Sequence, residues 1–301
     1  MAKGKVLTKE IAENYVAKGW KWVSSETSSF ASINEDAAQV LSKFTKGPLQ
    51  LDGLKSISEK VAQLLALQKG KSAWLVLQLG GLTELSEPVA EALSKHQGRG
   101  GLILSGLKKI SDSVASRISK LAGSNLDLSG LEEISEPTAK ALSGFKGDDG
   151  SYNGNLNLSG LKEITESIAA ALGQFKGGML QLNGLTILSE PCARSLAKAK
   201  ASLCLNGVKS ITDGVSKALS CHRGASEYGA GSLELSGLLT LSDTAAMNLA
   251  THKDEISLYG LSSLGEKGAE ALAKSKPDLI LYDEALEVFE KAKTKIKQKK
   301  K

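Results

Sequence analysis

Residues 126–142 read Leu-Asp-Leu-Ser-Gly-Leu-Glu-Glu-Ile-Ser-Glu-Pro-Thr-Ala-Lys-Ala-Leu, and this stretch decides the fold. Close variants recur from about residue 30 to residue 283 under the rule Leu-x-Leu-x-Gly-Leu-x-x-Ile-(Ser/Thr)-(Glu/Asp)-x-x-Ala-x-x-Leu. A recurrence of this kind is typical of solenoids, in which each repeat is one supersecondary unit. The chain of 301 residues is therefore predicted to be one repeat array rather than two unrelated domains.

Each repeat predicts a short strand followed by a helix. The alternation in Leu-x-Leu places both leucines on one face of a strand. The glycine that follows permits a tight turn or a close approach of two backbone segments. The Ser or Thr after Ile is a good helix N-cap, and the next acid suits the positive end of a helix. If the Glu before each proline is the cap instead, proline takes the first helical position at Pro88, Pro137 and Pro191.

One repeat cannot bury its leucines alone, whereas stacked repeats bury a continuous core and pair their strands in parallel. The predicted fold class is an α/β solenoid, with a parallel β-sheet on one face and short helices on the other. The sequence resembles a leucine-rich-repeat protein over about residues 30–283, in a short-period Gly-Leu form similar to repeats of large, uncharacterised bacterial proteins. Leu or Gly replaces the Asn of the commonest pattern, so an Asn ladder is predicted to be absent. The resemblance implies a protein-binding surface and no particular activity.

The array is predicted to be capped at both ends, because an open solenoid end exposes core and an unpaired strand edge. Residues 1–29 are interpreted as an N-terminal cap of one helix and one extended segment, residues 30–283 as about ten repeats, and residues 284–301 as a capping helix with a Lys-rich tail. Trp20 and Trp22 fit the cap, and a Trp-lined ligand pocket is the alternative. Every third repeat is longer, with extra residues at 69–73, 148–155 and 224–231. These extra residues are either tolerated surface loops or loops that grip a partner.

Composition points to the cytoplasm. Three cysteines, an odd number without Cys-x-x-Cys, fit a reducing compartment. No apolar signal core is present, and no apolar run approaches the ~20 residues that span a bilayer. The net charge is +5, and residues 291–301 hold seven lysines and no acid, so residues 1–290 sum to 5 − 7 = −2. The body of the chain is near neutral and its tail is basic.

No enzyme is predicted, because the repeat explains each catalytic-type residue. His96, His222 and His252 share one repeat position with Phe44, Phe145 and Phe175, which favours packing. A metal at His222, His252 and Cys221 is the alternative, although the spacing matches no usual site. No Gly-x-Ser-x-Gly occurs, and the Gly-rich residues 98–101 follow a helix, the reverse of a phosphate-binding loop. We expect no catalytic, cofactor-binding or metal-ligating residue.

The outward strand positions are where a solenoid binds, and here they are small, polar and mildly acidic. They lack Trp and Arg, the residues that most often anchor an interface, so a merely solvated surface is the alternative. If the surface binds, the sequence favours a basic or polar partner. The candidate partner-binding residues are Gln78, Asp127, Asn157, Gln181, Glu234, Tyr259 and Tyr282.

The sequence therefore predicts a monomeric protein-interaction scaffold with an unidentified protein partner and without cofactor. The alternative is an accessory protein that binds nucleic acid or an anionic surface through its C-terminal lysines. Without interleaved aromatic residues, such binding would be unspecific and sensitive to salt.

Overall fold

The computed structural model describes residues 5–18, 27–70, 75–147, 154–226, 229–274, 279–281 and 283–298. The chain divides into two compact units, Met1–Gly160 (unit 1) and Leu161–Lys301 (unit 2). Each unit is an array of strand–helix repeats, which confirms the predicted α/β solenoid class. The extended segment predicted at residues 20–23 lies outside the described residues, as do both tryptophans of the predicted cap.

Unit 1 contains five parallel array strands: Leu49–Gln50, Val76–Gln78, Gly101–Ile103, Asn125–Asp127 and Asn155–Asn157. Their pairing aligns the first leucine of every repeat in one row. The row consists of Leu49, Leu77, Leu102, Leu126 and Leu156, all fully buried. Burying a leucine stabilises the fold by about 1.5–3 kcal/mol, so this row is a principal source of stability.

Unit 2 repeats the arrangement with Met179–Gln181, Ser202–Cys204, Leu233–Glu234, Ile256–Ser257 and Leu279–Ile280. These strands are also parallel, and their register aligns Leu180, Leu203, Leu233 and Ile256 in a buried row. The period-two alternation of the sequence therefore produces the same layer in both units.

Twelve helices form the second layer of the two arrays. In unit 1 they are α1 (Lys9–Ala17), α2 (Glu35–Leu41), α3 (Glu59–Ala66), α4 (Glu87–Leu93), α5 (Asp112–Ile118) and α6 (Glu136–Leu142). In unit 2 they are α7 (Glu166–Leu172), α8 (Glu190–Leu196), α9 (Asp213–Leu219), α10 (Asp243–Leu249), α11 (Glu266–Lys274) and α12 (Asp283–Gln298). The count covers the described residues alone.

The helix starts follow the capping chemistry of the repeat. The Ser or Thr after Ile is the N-cap, and in most repeats its hydroxyl accepts the N–H three residues on, as Ser135 does from Thr138 at 3.0 Å. Satisfying this N–H contributes about 1 kcal/mol per helix. The Glu is consequently the first helical residue, and each proline takes the second position rather than the first.

Contact between successive repeats requires the glycine that recurs in the repeat rule. A Cβ on Gly130 would lie 2.0 Å from the carbonyl oxygen of Ser105, one repeat earlier. The same clash, at 2.3 Å or less, would occur at Gly81, Gly106, Gly160, Gly207 and Gly237. The glycine therefore serves the close approach of two backbones, one of the two roles that its position in the repeat predicts.

Short accessory strands extend the pairing outside the array strands. Parallel pairs join Lys5–Leu7 to Phe30–Ile33, Lys69–Gly70 to Gln97–Gly98, and Thr240–Leu241 to Ser263–Leu264. One of the long insertions forms an antiparallel hairpin, Gly224–Ser226 with Gly229–Gly231. A 3-10 turn, Thr27–Ser29, precedes Phe30.

A terminal helix packs on the neighbouring array helix in each unit. In unit 1, α1 contacts α2, and in unit 2, α12 contacts α11 and buries Ala285, Phe289 and Ala292. The division into cap, array and tail stays a prediction. Across the described helices, none combines the length and apolar character that a bilayer span requires.

Candidate protein-binding face

The predicted binding residues fall into two groups, one in each unit. Unit 1 holds Gln78, Asp127 and Asn157 on its array strands, all half-buried. Unit 2 holds Gln181 and Glu234, also half-buried, and Tyr259, which is 57% exposed just beyond a strand. Tyr282 lies outside the described residues. We use the name strand face for the side chains between and just after the paired leucines of the array strands.

Hydrogen bonds fix the acidic part of the strand face in unit 1. Asp127 and Asn157 are register partners, and Asn157 Nδ2 donates to Asp127 Oδ2 at 3.1 Å. Asp127 Oδ1 also accepts the backbone N–H of Ser129 at 2.8 Å, and Asn157 Oδ1 accepts that of Ser159 at 3.0 Å. Both side chains are therefore held in place, and the Asp127 carboxylate keeps lone pairs for a further donor.

The acidic residue of the strand face in unit 2 lies next to a buried thiol. Glu234 Oε2 accepts from Asn206 Nδ2 at 3.2 Å, and the strand pairs Glu234 with Cys204. Burial raises the pKa of the Cys204 thiol to about 12, and the charge of Glu234 adds to the rise. Cys204 occupies one of the outward positions between paired leucines, yet it is only 2% exposed.

A ladder of side chains connects successive repeats just after the array strands. Asn183 Oδ1 accepts the N–H of Asn206 at 3.0 Å, and Asn206 Oδ1 accepts the N–H of Ser236 at 2.8 Å. In unit 1, Asp52 Oδ1 accepts the N–H of Gly80 at 2.7 Å. This ladder stands just after the second leucine and not at the Asn position of the commonest pattern, so the absence of an Asn ladder at that position stays a prediction. The sequence carries the signal of the observed ladder, because Asn or Asp follows the second leucine in these repeats.

The histidines occupy the core. His96, His222 and His252 are at most 1% exposed, as their exchange with phenylalanine at one repeat position predicts. In unit 2 the rings of His222 and His252 stack, with centroids 5.8 Å apart and planes 12° apart. Burial lowers the pKa of His96 and of His222 to about 4, and it also lowers the pKa of His252. These rings are neutral at physiological pH.

The cysteines do not complete a metal site with these histidines. Cys192 and Cys204 are buried and Cys221 is exposed, all as free thiols. Within the described ranges, no three side chains of His, Cys, Asp or Glu come together as metal ligands would. Cys221 instead directs its thiol to the carbonyl oxygen of Lys217 in α9, at 3.6 Å.

Comparison with known proteins adds two similar structures. No protein-family model matches the chain, and no curated protein matches it. A chain in the crystal structure of the yeast Rad7 and Elc1 complex is 17% identical with a TM-score of 0.45, over 91% of this chain and 75% of that chain. An internalin (InlF) of Listeria monocytogenes is 13% identical with a TM-score of 0.34, over 94% of this chain and 92% of that chain.

The class is defined by the chain's own repeats. Parallel array strands, alternating helices and in-register leucine rows in each unit make the protein an α/β solenoid with a leucine-rich-repeat-like fold.

Proposed function

We propose that this chain is a non-enzymatic protein-interaction scaffold, and that its strand face holds a basic or polar protein partner. The observation that carries the proposal is the hydrogen-bonded row of polar side chains on the array strands of each unit. We further infer a monomer in the cytoplasm, a compartment in which free thiols such as Cys192, Cys204 and Cys221 persist.

The charge of the strand face supports a basic partner. Its described positions include the carboxylates of Asp52, Asp127 and Glu234, and no lysine or arginine stands at these positions. Complementary charge chiefly sets the association rate and the choice of partner. Arg or Lys side chains of a partner would find carboxylates already oriented by their neighbours.

The rigidity of the strand face also favours binding. Ordering a flexible side chain on association costs about 0.5–1.5 kcal/mol. Asp127 and Asn157 are already ordered by hydrogen bonds in the free chain, as is Glu234. A partner would therefore meet a pre-organised surface, and this part of the cost would be small.

Affinity capture from a lysate of cells that make the protein tests the proposal, with partners identified by mass spectrometry. Three baits are compared at moderate salt: the wild-type chain, a strand-face variant with Gln78→Arg and Gln181→Arg, and a control with Gln39→Arg and Gln174→Arg. Gln39 lies on α2 and Gln174 just after α7, and both are exposed. The two variants therefore carry the same chemical change on different surfaces.

The proposal predicts a protein that the wild-type and control baits retain and the strand-face bait loses. Matched thermal unfolding of the three baits establishes that the strand-face bait is folded. Partners that all three baits retain, or that only the control bait loses, would assign binding to another surface.

A further inference from the structure

The segments that follow the helices of unit 1 carry charge of one sign. An acid occupies the first helical position of α2 to α6, at Glu35, Glu59, Glu87, Asp112 and Glu136. The described segments that follow these helices (42–48, 67–70, 94–100, 119–124 and 143–147) contain basic residues and no acid. Those residues are Lys43, Lys46, Lys69, Lys95, Arg99, Lys120 and Lys146. Because the array strands are parallel, the segments lie side by side, and we name them the basic edge.

A surface groove on the basic edge separates the C-terminal ends of α5 and α6. Its volume is about 590 Å³, and its lining includes Lys120, Lys146, Ser116 and Ser119 together with apolar residues, and no acidic residue among the described ones. Gly147, also in the lining, has a φ of 73°, a conformation that strains any residue with a Cβ. The groove is therefore lined by two lysines, with serines and a glycine beside them.

The two lysines of the groove are available for a ligand. Lys120 and Lys146 are exposed, and neither makes an ion pair within the described part of the chain. Lys95, one repeat earlier, differs because its Nζ lies 3.2 Å from the carboxylate of Glu91.

The helix ends reduce this charge without cancelling it. A helix C-terminus carries roughly −0.5 of an elementary charge, so α5 and α6 contribute about −1 together. Two lysines contribute +2, so among the described groups the lysines outweigh the two helix ends by about one charge, and the neighbouring repeats of the edge add further lysines and an arginine. Complementing the helix dipoles therefore accounts for only part of the basic edge.

We propose that the basic edge of unit 1 binds the phosphate backbone of a single-stranded nucleic acid, with the groove between α5 and α6 as its principal contact. Repeats follow one another at about 4.8 Å, so the edge presents positive charge in a single row. A nucleic acid strand is a linear polyanion with one charge per nucleotide and suits such a row better than a planar lipid surface does. The phenylalanines of these segments, Phe44 and Phe145, are buried, so binding is directed to phosphate rather than to bases.

Fluorescence anisotropy with a labelled oligodeoxythymidylate of about 20 nucleotides, long enough to neutralise several lysines, tests the proposal. The full-length chain is used with Lys297, Lys299, Lys300 and Lys301 replaced by Gln, which removes four of the seven lysines of residues 291–301 and so weakens the tail as a competing site. The variant adds Lys120→Gln and Lys146→Gln. The matched control adds Lys55→Gln and Lys109→Gln instead, two exposed lysines on the opposite, helix N-terminal side of unit 1.

The expected loss of affinity is about tenfold for the groove variant and less than about twofold for the control. The affinity falls as salt rises, and each lost phosphate contact makes the slope of log K against log salt less steep by about 0.7. Between about 50 and 200 mM salt, the slope of the groove variant is therefore expected to be less steep by about 1.4. An unchanged slope, or equal losses in both variants, overturns the proposal. So does a lower melting temperature with unchanged affinity, because the lysines would then serve only the helix ends.

A further arm tests the class of partner. Poly-glutamate and unlabelled oligonucleotide are compared as competitors, with each concentration expressed in negative charges. If poly-glutamate competes at the lower concentration, the edge binds acidic proteins and the nucleic-acid proposal is overturned.

Discussion

The side-chain Oδ1 of Asn206 lies 2.8 Å from the backbone nitrogen of Ser236 and accepts its hydrogen bond, which joins two successive repeats of unit 2. The backbone N–H of Asn206 in turn donates to Asn183 Oδ1. The side-chain Nδ2 of Asn206 donates to the carboxylate of Glu234. One amide side chain thus satisfies a backbone N–H of the next repeat and orients a carboxylate of the strand face. Stability and the candidate binding surface depend on the same residue.

Replacing Asn206 by Ala is expected to destabilise the chain by about 1–3 kcal/mol, because the N–H of Ser236 loses its partner in a half-buried position. Urea unfolding measures this change. Ser105→Ala is the control, since Ser105 occupies the equivalent repeat position in unit 1 and is expected to cost less than about 0.5 kcal/mol. Equal effects of the two substitutions would show that the ladder contributes nothing.

Gly130→Ala is expected to destabilise the chain by more than about 3 kcal/mol, or to prevent folding. The new Cβ would lie 2.0 Å from the carbonyl oxygen of Ser105, so the two repeats must separate. Gly144→Ala is the control, because its added Cβ would lie 3.1 Å from the carbonyl oxygen of Ala141. A small shift of the backbone relieves that contact. Thermal unfolding of both variants, followed by circular dichroism, measures the two losses of stability. A small loss for Gly130→Ala would contradict the close approach of the two backbones.

Acid is expected to destabilise unit 2 through His222. The ordinary pKa of 6.5 applies in the unfolded chain, and burial lowers the pKa to about 4 in the folded chain. The unfolded chain therefore binds protons first, so this stability is fully present above pH 6.5 and is lost as the pH falls toward 4. The loss reaches about 3 kcal/mol at most, at 1.36 kcal/mol for each unit of pKa difference.

His222→Phe isolates this contribution, because phenylalanine fills the same repeat position at Phe145 and Phe175. Urea unfolding of both chains at several pH values from about 7 to about 4.5 is expected to show a weaker pH dependence in the variant. His96 and His252 remain, so part of the dependence persists. An identical pH dependence in both chains would mean that His222 titrates normally.

One of the three thiols is expected to react in the native chain. Cys221 is exposed, whereas Cys192 and Cys204 are buried, and burial raises the pKa of Cys204 to about 12. The thiolate is the nucleophile, and the thiol of Cys204 is both inaccessible to reagents and protonated at neutral pH. Cys204 is therefore expected not to react. A chromogenic disulfide reagent is expected to titrate one thiol in buffer, three in denaturant and none in native Cys221→Ser. Rapid native reaction of a second thiol would contradict the burial of the strand-face cysteine.

The repeat predicts the fold because each of its signals is local. Leu-x-Leu produces the buried row that contains Leu126 and Leu156, and the Ser or Thr after Ile caps the helices. The equivalence of His96, His222 and His252 with phenylalanine predicts their burial without any view of the structure. In these cases one residue type at one repeat position has one physical role.

Relations between repeats are harder to predict, because they depend on which residue the next repeat presents. The ladder through Asn183 and Asn206 joins positions about 23 and 30 residues apart, and only the strand register brings them together. The raised pKa of the Cys204 thiol likewise depends in part on Glu234, its register partner on the next strand. The groove between Lys120 and Lys146 requires the relative placement of α5 and α6, which no single repeat specifies.

Site-specific photo-cross-linking tests the proposed binding face most directly. A photoreactive phenylalanine analogue is placed at Gln181 on the strand face or at Gln174 beside the helices, in cells that make the protein. The proposal predicts a defined protein adduct from position 181, with little or none from position 174. Adducts from position 174 alone, or equal adducts from both positions, would contradict a scaffold that binds through its strand face.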